Sequence, residues 1–127
     1  MNTSTHKHIL TIEEVAARFH ELAQQEKWFD IQDELFAENV RSVEPANSPY
    51  MKNAEGKSAV RKKAEAFVSK VREGHHFHTT PPVIGGNYFS VGRSQHMTVE
   101  GLGKVEIDQI MLYEVKNGEI VLEQFFY

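Results

Sequence analysis

Residues 88–127 decide the fold, and they read YFSVGRSQHMTVEGLGKVEIDQIMLYEVKNGEIVLEQFFY. Long runs with alternating apolar and polar residues are separated by two turn signals, Gly101-Leu102-Gly103 and Asn117-Gly118. Asn-Gly favours a tight hairpin turn, because both residues tolerate positive φ. Strands joined by such turns are antiparallel. The prediction is therefore a meander of three strands: Tyr88–Glu100, Lys104–Val115 and Glu119–Tyr127.

Helical periodicity dominates the sequence before this meander. Apolar residues recur at helical spacing from Ile12 to Ala23, behind a capping box formed by Thr11 and Glu14. Two further helices are predicted, over Trp28–Phe36 and Ser58–Arg72, the second of which ends at Gly74.

Two short strands and a loop complete the pattern. Val40–Glu44 alternates like a strand and is stopped by Pro45, and the Pro- and Asn-containing residues 45–56 predict a long loop. His75–Thr80 predicts another short strand. Helices followed by an antiparallel meander indicate an α+β fold with the helices packed on one face of a curved sheet.

Composition limits the classes of function. The 127 residues are enough for one domain, predicted over residues 10–127 after a disordered tail of residues 1–9. The absence of cysteine excludes disulfides, thiolate metal sites and cysteine nucleophiles. A net charge of −4 argues against nucleic acid as a partner, and we interpret Arg61-Lys62-Lys63 as the solvated face of the third helix.

The sequence also shows neither a membrane-length apolar run nor the apolar core of a signal peptide, which predicts a cytoplasmic protein without a membrane partner.

Histidines in the short strand offer one possible metal site. His76 and His78 point to the same face of a strand and can in principle share a metal ion, but no third ligand is identifiable. We favour the interpretation that these imidazoles line a rim or form hydrogen bonds within the sheet, so that no metal is expected.

A richer set of ionisable groups arises when the strands pair across Gly101-Leu102-Gly103. A three-residue loop places Thr98 opposite Glu106 and His96 opposite Asp108, on one face. If this face lines a cavity, it is an acid–base site. If it faces water, it is the solvated side of a strand pair in which polar and apolar residues alternate. The other face is apolar and predicts self-association; it carries Val99, Val105, Ile107, Met111 and Tyr113.

The order of these elements resembles that of a SnoaL-like protein of the nuclear-transport-factor-2-like superfamily. The similarity rests on the three helices, Glu44-Pro45 at the end of the first strand, Gly56 opening the third helix, and the closing hairpin Tyr113–Ile120. The resemblance implies a cone-shaped, curved antiparallel sheet that encloses a deep apolar pocket with three N-terminal helices. It also implies a homodimer formed through the sheet. Relatives include ketosteroid isomerase, limonene epoxide hydrolase, polyketide cyclases and scytalone dehydratase.

Comparison with ketosteroid isomerase implies roles for individual residues. Glu44, before Pro45, matches the position of the general base, and Asp108 matches the oxyanion-hole acid, with His96 as its partner. Phe19 stands at the position of the oxyanion tyrosine but cannot donate a hydrogen bond, so steroid isomerisation is not implied. The resemblance also places alternate residues of the last strand, Glu123, Phe125 and Tyr127, at the ligand, with Glu123 as a further candidate acid or base. Tyr50 and Met51, in the loop after Glu44, either close over the mouth of the pocket or cover the apolar end of the sheet. The strand patterns add His76, His78 and Glu106 as candidate ligand contacts, as they add Phe19 from the first helix.

Two functions from different classes are compatible with these residues. The first is a cofactor-independent isomerase, cyclase or lyase that binds a small apolar molecule and moves protons, by isomerisation, cyclisation, dehydration or epoxide hydrolysis, with Glu44 as the base. The alternative is a non-catalytic ligand-binding or dimeric assembly module of the same fold.

Overall fold

The computed structural model describes residues 8–127, so residues 1–7 of the predicted tail lie outside the described part. Within it the elements follow in this order: α1 Ile12–Gln24, α2 Trp28–Leu35, β1 Phe36–Val43, β2 Ala54–Glu55, α3 Lys57–Val68, β3 Val71–Thr79, β4 Val83–Gly85, β5 Tyr88–Val99, β6 Gly103–Lys116 and β7 Glu119–Phe126. None of the helices in residues 8–127 is long and apolar enough to cross a membrane.

Helix α1 begins as the sequence predicts. The Thr11 side chain accepts a hydrogen bond from the Glu14 backbone N–H at 3.2 Å, and the Thr11 N–H donates to Glu14 Oε1 at 2.9 Å. This capping box satisfies two N–H groups that have no partner within the helix. The buried face of α1 carries Val15, Phe19 and Leu22, which orients the helix over the sheet.

A single curved sheet contains all seven strands, in the order β2-β1-β7-β6-β5-β3, with β4 pairing separately with β5. The predicted α+β class is confirmed. One pairing departs from the predicted antiparallel sheet, because β1 and β7 run parallel. These are the first and the last strand in the chain, and the elements between them supply the long crossover that parallel pairing requires.

The turns set the register of the meander. Asn117 and Gly118 adopt positive φ of 51° and 75°, as the Asn-Gly signal predicts. At the preceding turn Val99 pairs with Gly103, so His96 lies opposite Glu106 rather than opposite Asp108. The predicted register is therefore wrong by two residues. A shift of two leaves every side chain on its predicted face, because side chains alternate with a period of two.

The third helix is shorter than predicted. It ends at Val68, and Val71 already pairs with Val99 in the sheet. Val71 continues the apolar spacing of α3, which explains the error, but strand pairing prevails over that periodicity. Gly74 lies inside β3 instead of ending α3, and the Phe77 ring covers it so closely that a Cβ atom there would displace the ring.

Two apolar clusters form the interior. In the first, the Phe19 ring lies 5.1 Å from Phe89 and 4.7 Å from Tyr113, between α1 and the sheet. The second is covered by Tyr50, Phe67 and Val71 and contains Met97, Val99, Val105 and Ile107. The five-residue face predicted to be left uncovered is therefore buried within the monomer. That argument for self-association is wrong, because the helices cover this apolar face and leave the opposite face exposed.

Candidate functional site

A cavity of about 580 Å³ lies between α2, α3 and the inner face of the sheet. Its volume suits a small organic molecule. Most of the wall is apolar and includes Phe36, Val60, Phe67, Met97, Met111 and Phe125. Against this background, two groups of polar side chains mark where chemistry or recognition can occur.

The first polar group surrounds Glu123. Pairing of β1 with β7 sets Ser42 beside Glu123, and Ser42 Oγ donates a hydrogen bond of 2.8 Å to Glu123 Oε2. The Tyr113 hydroxyl lies 3.4 Å from Glu123 Oε1. Glu123 is only 8% exposed, and burial raises its pKa against the opposing effects of Ser42 and the Lys63 charge. This carboxyl group therefore favours its protonated form more strongly than a surface glutamate does.

Lys63 extends the group from α3. Its Nζ donates to Ser42 Oγ at 2.8 Å and to Glu44 Oε2 at 2.7 Å. The Tyr127 hydroxyl donates to Glu44 Oε1 at 2.6 Å, and burial together with this bond raises the pKa of Tyr127. A continuous hydrogen-bonded chain thus connects Glu123 to Tyr127 through Ser42, Lys63 and Glu44.

The predicted base, Glu44, lies behind this chain rather than on the cavity wall. Lys63, Glu123 and Tyr127 line the cavity, whereas the Glu44 side chain is 2% exposed and paired with the Lys63 ammonium group. The surroundings of Glu44 are polar, since the Lys63 ammonium and Tyr127 phenol groups contact its carboxylate. The position of Glu44 fits a residue that holds Lys63 in place.

The second polar group centres on Arg93 of β5. Its guanidinium group binds Glu26 Oε1 at 2.8 Å and Thr79 Oγ1 at 2.9 Å, and it stacks 4.4 Å from the Trp28 ring. Burial acts to raise the pKa of Glu26, but the bonds from Arg93 and Trp28 outweigh it and lower that pKa. Arg93 is therefore a buried cation with its own carboxylate.

Beside Arg93, two glutamines on the wall bond to each other. Gln109 Nε2 donates to Gln95 Oε1 at 2.8 Å. Both side chains line the cavity, and Gln109 pairs directly with Arg93 across β5 and β6. The second polar group thus combines a neutralised ion pair with an amide pair.

The predicted acid–base face lies on the outside of the sheet. His96 Nε2 and Asp108 Oδ1 are 3.1 Å apart, as two neighbouring strands allow, but the Asp108 and Glu106 side chains are 66% and 68% exposed. Bonds from Ser94 and His96 lower the pKa of Asp108. The catalytic roles that the comparison with ketosteroid isomerase implies for this pair are therefore wrong, because the helices pack against the more apolar face that carries Met97 and leave the pair on the outer face.

His76 lies on the same outer face, with its ring 5.3 Å from that of His96, and His78 follows two residues later opposite Ser94. Neither histidine lines the cavity. Within residues 8–127, no three histidine or carboxylate side chains are placed to hold a metal ion together.

The remaining predicted residues divide between the core and the cavity. Phe125, Tyr127 and Met51 line the cavity beside Glu123. Tyr50 packs on the second apolar cluster, and Phe19 is fully buried in the first, so Phe19 supports the wall from behind rather than contacting a ligand.

Several site residues were missed at the sequence level. The basic run Arg61-Lys62-Lys63 predicts a solvated face, yet Lys63 stands three residues after Val60 and four before Phe67, on the apolar side of α3. That helical spacing could have revealed it. Gln95 lies two residues from Met97, and Gln109 lies two residues from Met111, so both glutamines share the apolar face of their strands. A polar residue at a position of the apolar face is the sequence feature that could have identified them.

Comparison with known proteins gives a consistent picture. The sequence profile of the SnoaL-like domain matches residues 10–127. A SnoaL-like protein from Mesorhizobium loti, described as a candidate polyketide cyclase and also as a carbohydrate phosphatase, is 31% identical with a TM-score of 0.86. That match covers 93% of this chain and 100% of the other. No curated protein sequence matches the chain.

More distant structures share the fold. An NTF2-like protein from Burkholderia thailandensis is 15% identical with a TM-score of 0.75, over 93% of this chain and 91% of the other. A protein with a ketosteroid isomerase-like fold from Catenulispora acidiphila, solved in complex with trimethylamine, is 16% identical with a TM-score of 0.62, over 92% and 87%. At these identities the likeness concerns the fold alone.

Proposed function

Because the chain belongs to the SnoaL-like family, we propose that it binds a small, largely apolar carbonyl compound in the cavity and catalyses a cofactor-independent cyclisation or isomerisation with Glu123 as the proton-transfer group. The observation that carries this proposal is a buried carboxyl group of raised pKa at the wall of an apolar cavity. A general acid works best when its pKa lies near the operating pH, and burial moves Glu123 in that direction.

In a cyclisation, Glu123 alone can both donate and take back the proton. As an enol carbon of the ligand attacks a carbonyl carbon of the same molecule, the Glu123 carboxyl group gives its proton to the carbonyl oxygen. The resulting carboxylate takes up the proton that leaves the enol hydroxyl. One C–C bond forms, one C=O bond becomes an alcohol and the enol becomes a ketone, so no external oxidant, acid or base is consumed.

The hydrogen-bonded chain supports the carboxylate stage of this cycle. Ser42 Oγ accepts from Lys63 and donates to Glu123, so the ammonium charge is transmitted to the carboxylate through one hydroxyl group. Glu44 fixes Lys63 at 2.7 Å from the other side. Donors held in place before the reaction stabilise developing charge without having to reorganise.

The relative from Mesorhizobium loti, a candidate polyketide cyclase, supports a cyclisation in particular. Fold similarity by itself does not determine an activity, so the assignment depends on the chemistry at Glu123.

Proton exchange tests the proposal without knowledge of the natural substrate. In this exchange the Glu123 carboxyl group gives its proton to the carbonyl oxygen while a water molecule removes a methyl proton; the enol then takes up deuterium from the solvent at carbon and returns its hydroxyl proton to the carboxylate. The probe is 2-acetylnaphthalene in D₂O, and the measured quantity is the rate at which its methyl protons exchange, followed by NMR. We expect the protein to accelerate exchange and Glu123→Gln to reduce this acceleration on the order of 100-fold, with binding of the probe unchanged. The control is Glu106→Gln on the outer face, which should leave the rate as in the wild type.

Equal acceleration by the wild type and Glu123→Gln would contradict the role of Glu123. Binding of the probe with no acceleration by the wild type would favour the non-catalytic ligand-binding module.

A further inference from the structure

Gln95 and Gln109 leave two hydrogen-bonding groups of opposite kind unused at the cavity wall. The single bond between them joins Gln109 Nε2 to Gln95 Oε1. Among residues 8–127, neither Gln95 Nε2 nor Gln109 Oε1 bonds to another side chain or to the backbone, and neither is a fully buried atom without a partner. Both atoms therefore keep some accessible surface, and both residues line the cavity.

This pattern does not depend on how the two amides are oriented. If both amides were rotated by 180°, Gln95 would donate to Gln109, and one oxygen and one nitrogen would again stay free. In either orientation one amide oxygen and one amide nitrogen of the pair remain without a protein partner, so the pair can both accept from and donate to a ligand. The complementary ligand group carries one donor beside one acceptor, as in a lactam, a carboxamide or an enol next to a carbonyl.

The charges around the cavity favour a ligand without net charge. The largely buried Lys63 and the buried Arg93 already have carboxylate partners, Glu44 at 2.7 Å and Glu26 at 2.8 Å. Burial disfavours the charged form of Glu123. The other charged residues that line the cavity, Lys27 and Asp30, are exposed and of opposite sign. A charged ligand in the apolar interior would therefore lose its hydration without meeting an unpaired buried charge, which is costly.

The amide pair lies away from Glu123. Glu123 pairs with Tyr113, and Gln109 is four residues further along the same strand, β6, which corresponds to a separation of roughly 13 Å at about 3.3 Å per residue. A ligand of two or three fused rings spans such a distance. Recognition at one end of the cavity can therefore fix which ligand atom reaches Glu123 at the other.

We propose that Gln95 and Gln109 form a specificity site that recognises an uncharged donor–acceptor edge of the ligand, of the lactam, carboxamide or enol–carbonyl type. This inference rests on the proposed function, since it concerns the ligand of the same cavity. It adds that ligand selection depends on Gln95 and Gln109, which take no part in proton transfer.

Calorimetric titration with three uncharged bicyclic probes tests the inference. The probes are quinolin-2-one, which presents N–H beside C=O; N-methylquinolin-2-one, which lacks the donor; and naphthalene, which lacks both groups. We expect the wild type to bind quinolin-2-one about tenfold more tightly than the N-methyl compound, the size of effect that one lost hydrogen bond produces. Gln109→Met and Gln95→Met should bind the two quinolinones equally.

The matched control is Gln124→Met, on the outer face of β7 opposite Leu112, which should keep the wild-type preference. Equal affinity of the wild-type protein for the two quinolinones would overturn the specificity site, and this comparison needs no variant to fold. The specificity site would also be overturned if both Gln95→Met and Gln109→Met still bound quinolin-2-one more tightly than N-methylquinolin-2-one. The N-methyl group of the probe would then weaken binding by its bulk alone.

Binding of naphthalene tests the proposed function separately from the specificity site. If naphthalene binds and the quinolinones bind equally, only the specificity site fails. If none of the three probes binds, apolar ligand binding in the cavity fails, and the specificity site fails with it.

Discussion

Lys63 is a largely buried cation that is paired with the carboxylate of Glu44. Its side chain is 12% exposed and that of Glu44 is 2% exposed, with 2.7 Å between Nζ and Oε2. Removing one member of a buried ion pair leaves an uncompensated charge, which typically costs about 3–5 kcal/mol. We therefore expect Lys63→Met to lower the free energy of unfolding by an amount of that order, measured by urea denaturation at neutral pH.

The double variant Lys63→Met/Glu44→Gln separates charge from packing. Since it removes both charges, it should be more stable than Lys63→Met alone. If the double variant is instead less stable than Lys63→Met, the loss in the single variant does not come from an unpaired Glu44.

At this scale, the sequence could predict that Glu123, Phe125 and Tyr127 lie at the cavity, because the family resemblance supplies the face of the last strand. It could not predict the partners of Glu44. Those depend on Lys63, which reaches Glu44 from α3, and residue type alone makes a lysine in a basic run look solvated.

At the scale of elements, α1 with its cap and the Asn117-Gly118 hairpin follow from local chemistry and were predicted. The sequence could not predict whether the acid–base face of β5 and β6 lies inside or outside the sheet. Alternation determines which residues share a face but not which face the helices cover. The helices decide this by packing on the more apolar side. The parallel pairing of β1 with β7 likewise depends on contacts far apart in sequence.

For the whole molecule, we propose self-association through the outer face of the sheet, rather than through the apolar face that the helices cover. On the outer face of the sheet Ile110 pairs with Phe126, and these side chains are 51% and 48% exposed. Adjacent exposed apolar residues of this kind favour an interface between copies of the chain. We expect a dimer at micromolar concentration in sedimentation equilibrium, and a shift toward monomer in Ile110→Glu.

The control for this variant is Leu102→Glu, which changes a side chain of similar exposure in the turn between β5 and β6. It should leave the dimer intact. A wild-type protein that sediments only as a monomer at these concentrations would rule out the interface.

The central claim is that Glu123 holds its proton more tightly in the folded protein than in the unfolded chain. Its pKa is raised above 4.5 on folding, so between 4.5 and the folded-state pKa the folded protein binds the extra proton, and its stability falls as the pH rises. Glu123→Gln lacks this proton equilibrium.

The most direct measurement is the free energy of unfolding of the wild type and of Glu123→Gln from pH 4.5 to pH 8, with the exposed Glu106→Gln as control. We predict that the wild type loses stability relative to Glu123→Gln as the pH rises through this range, while its difference from Glu106→Gln shows no comparable fall. A difference from Glu123→Gln that stays constant, or that grows in favour of the wild type with rising pH, would contradict a proton-holding carboxyl group at the cavity.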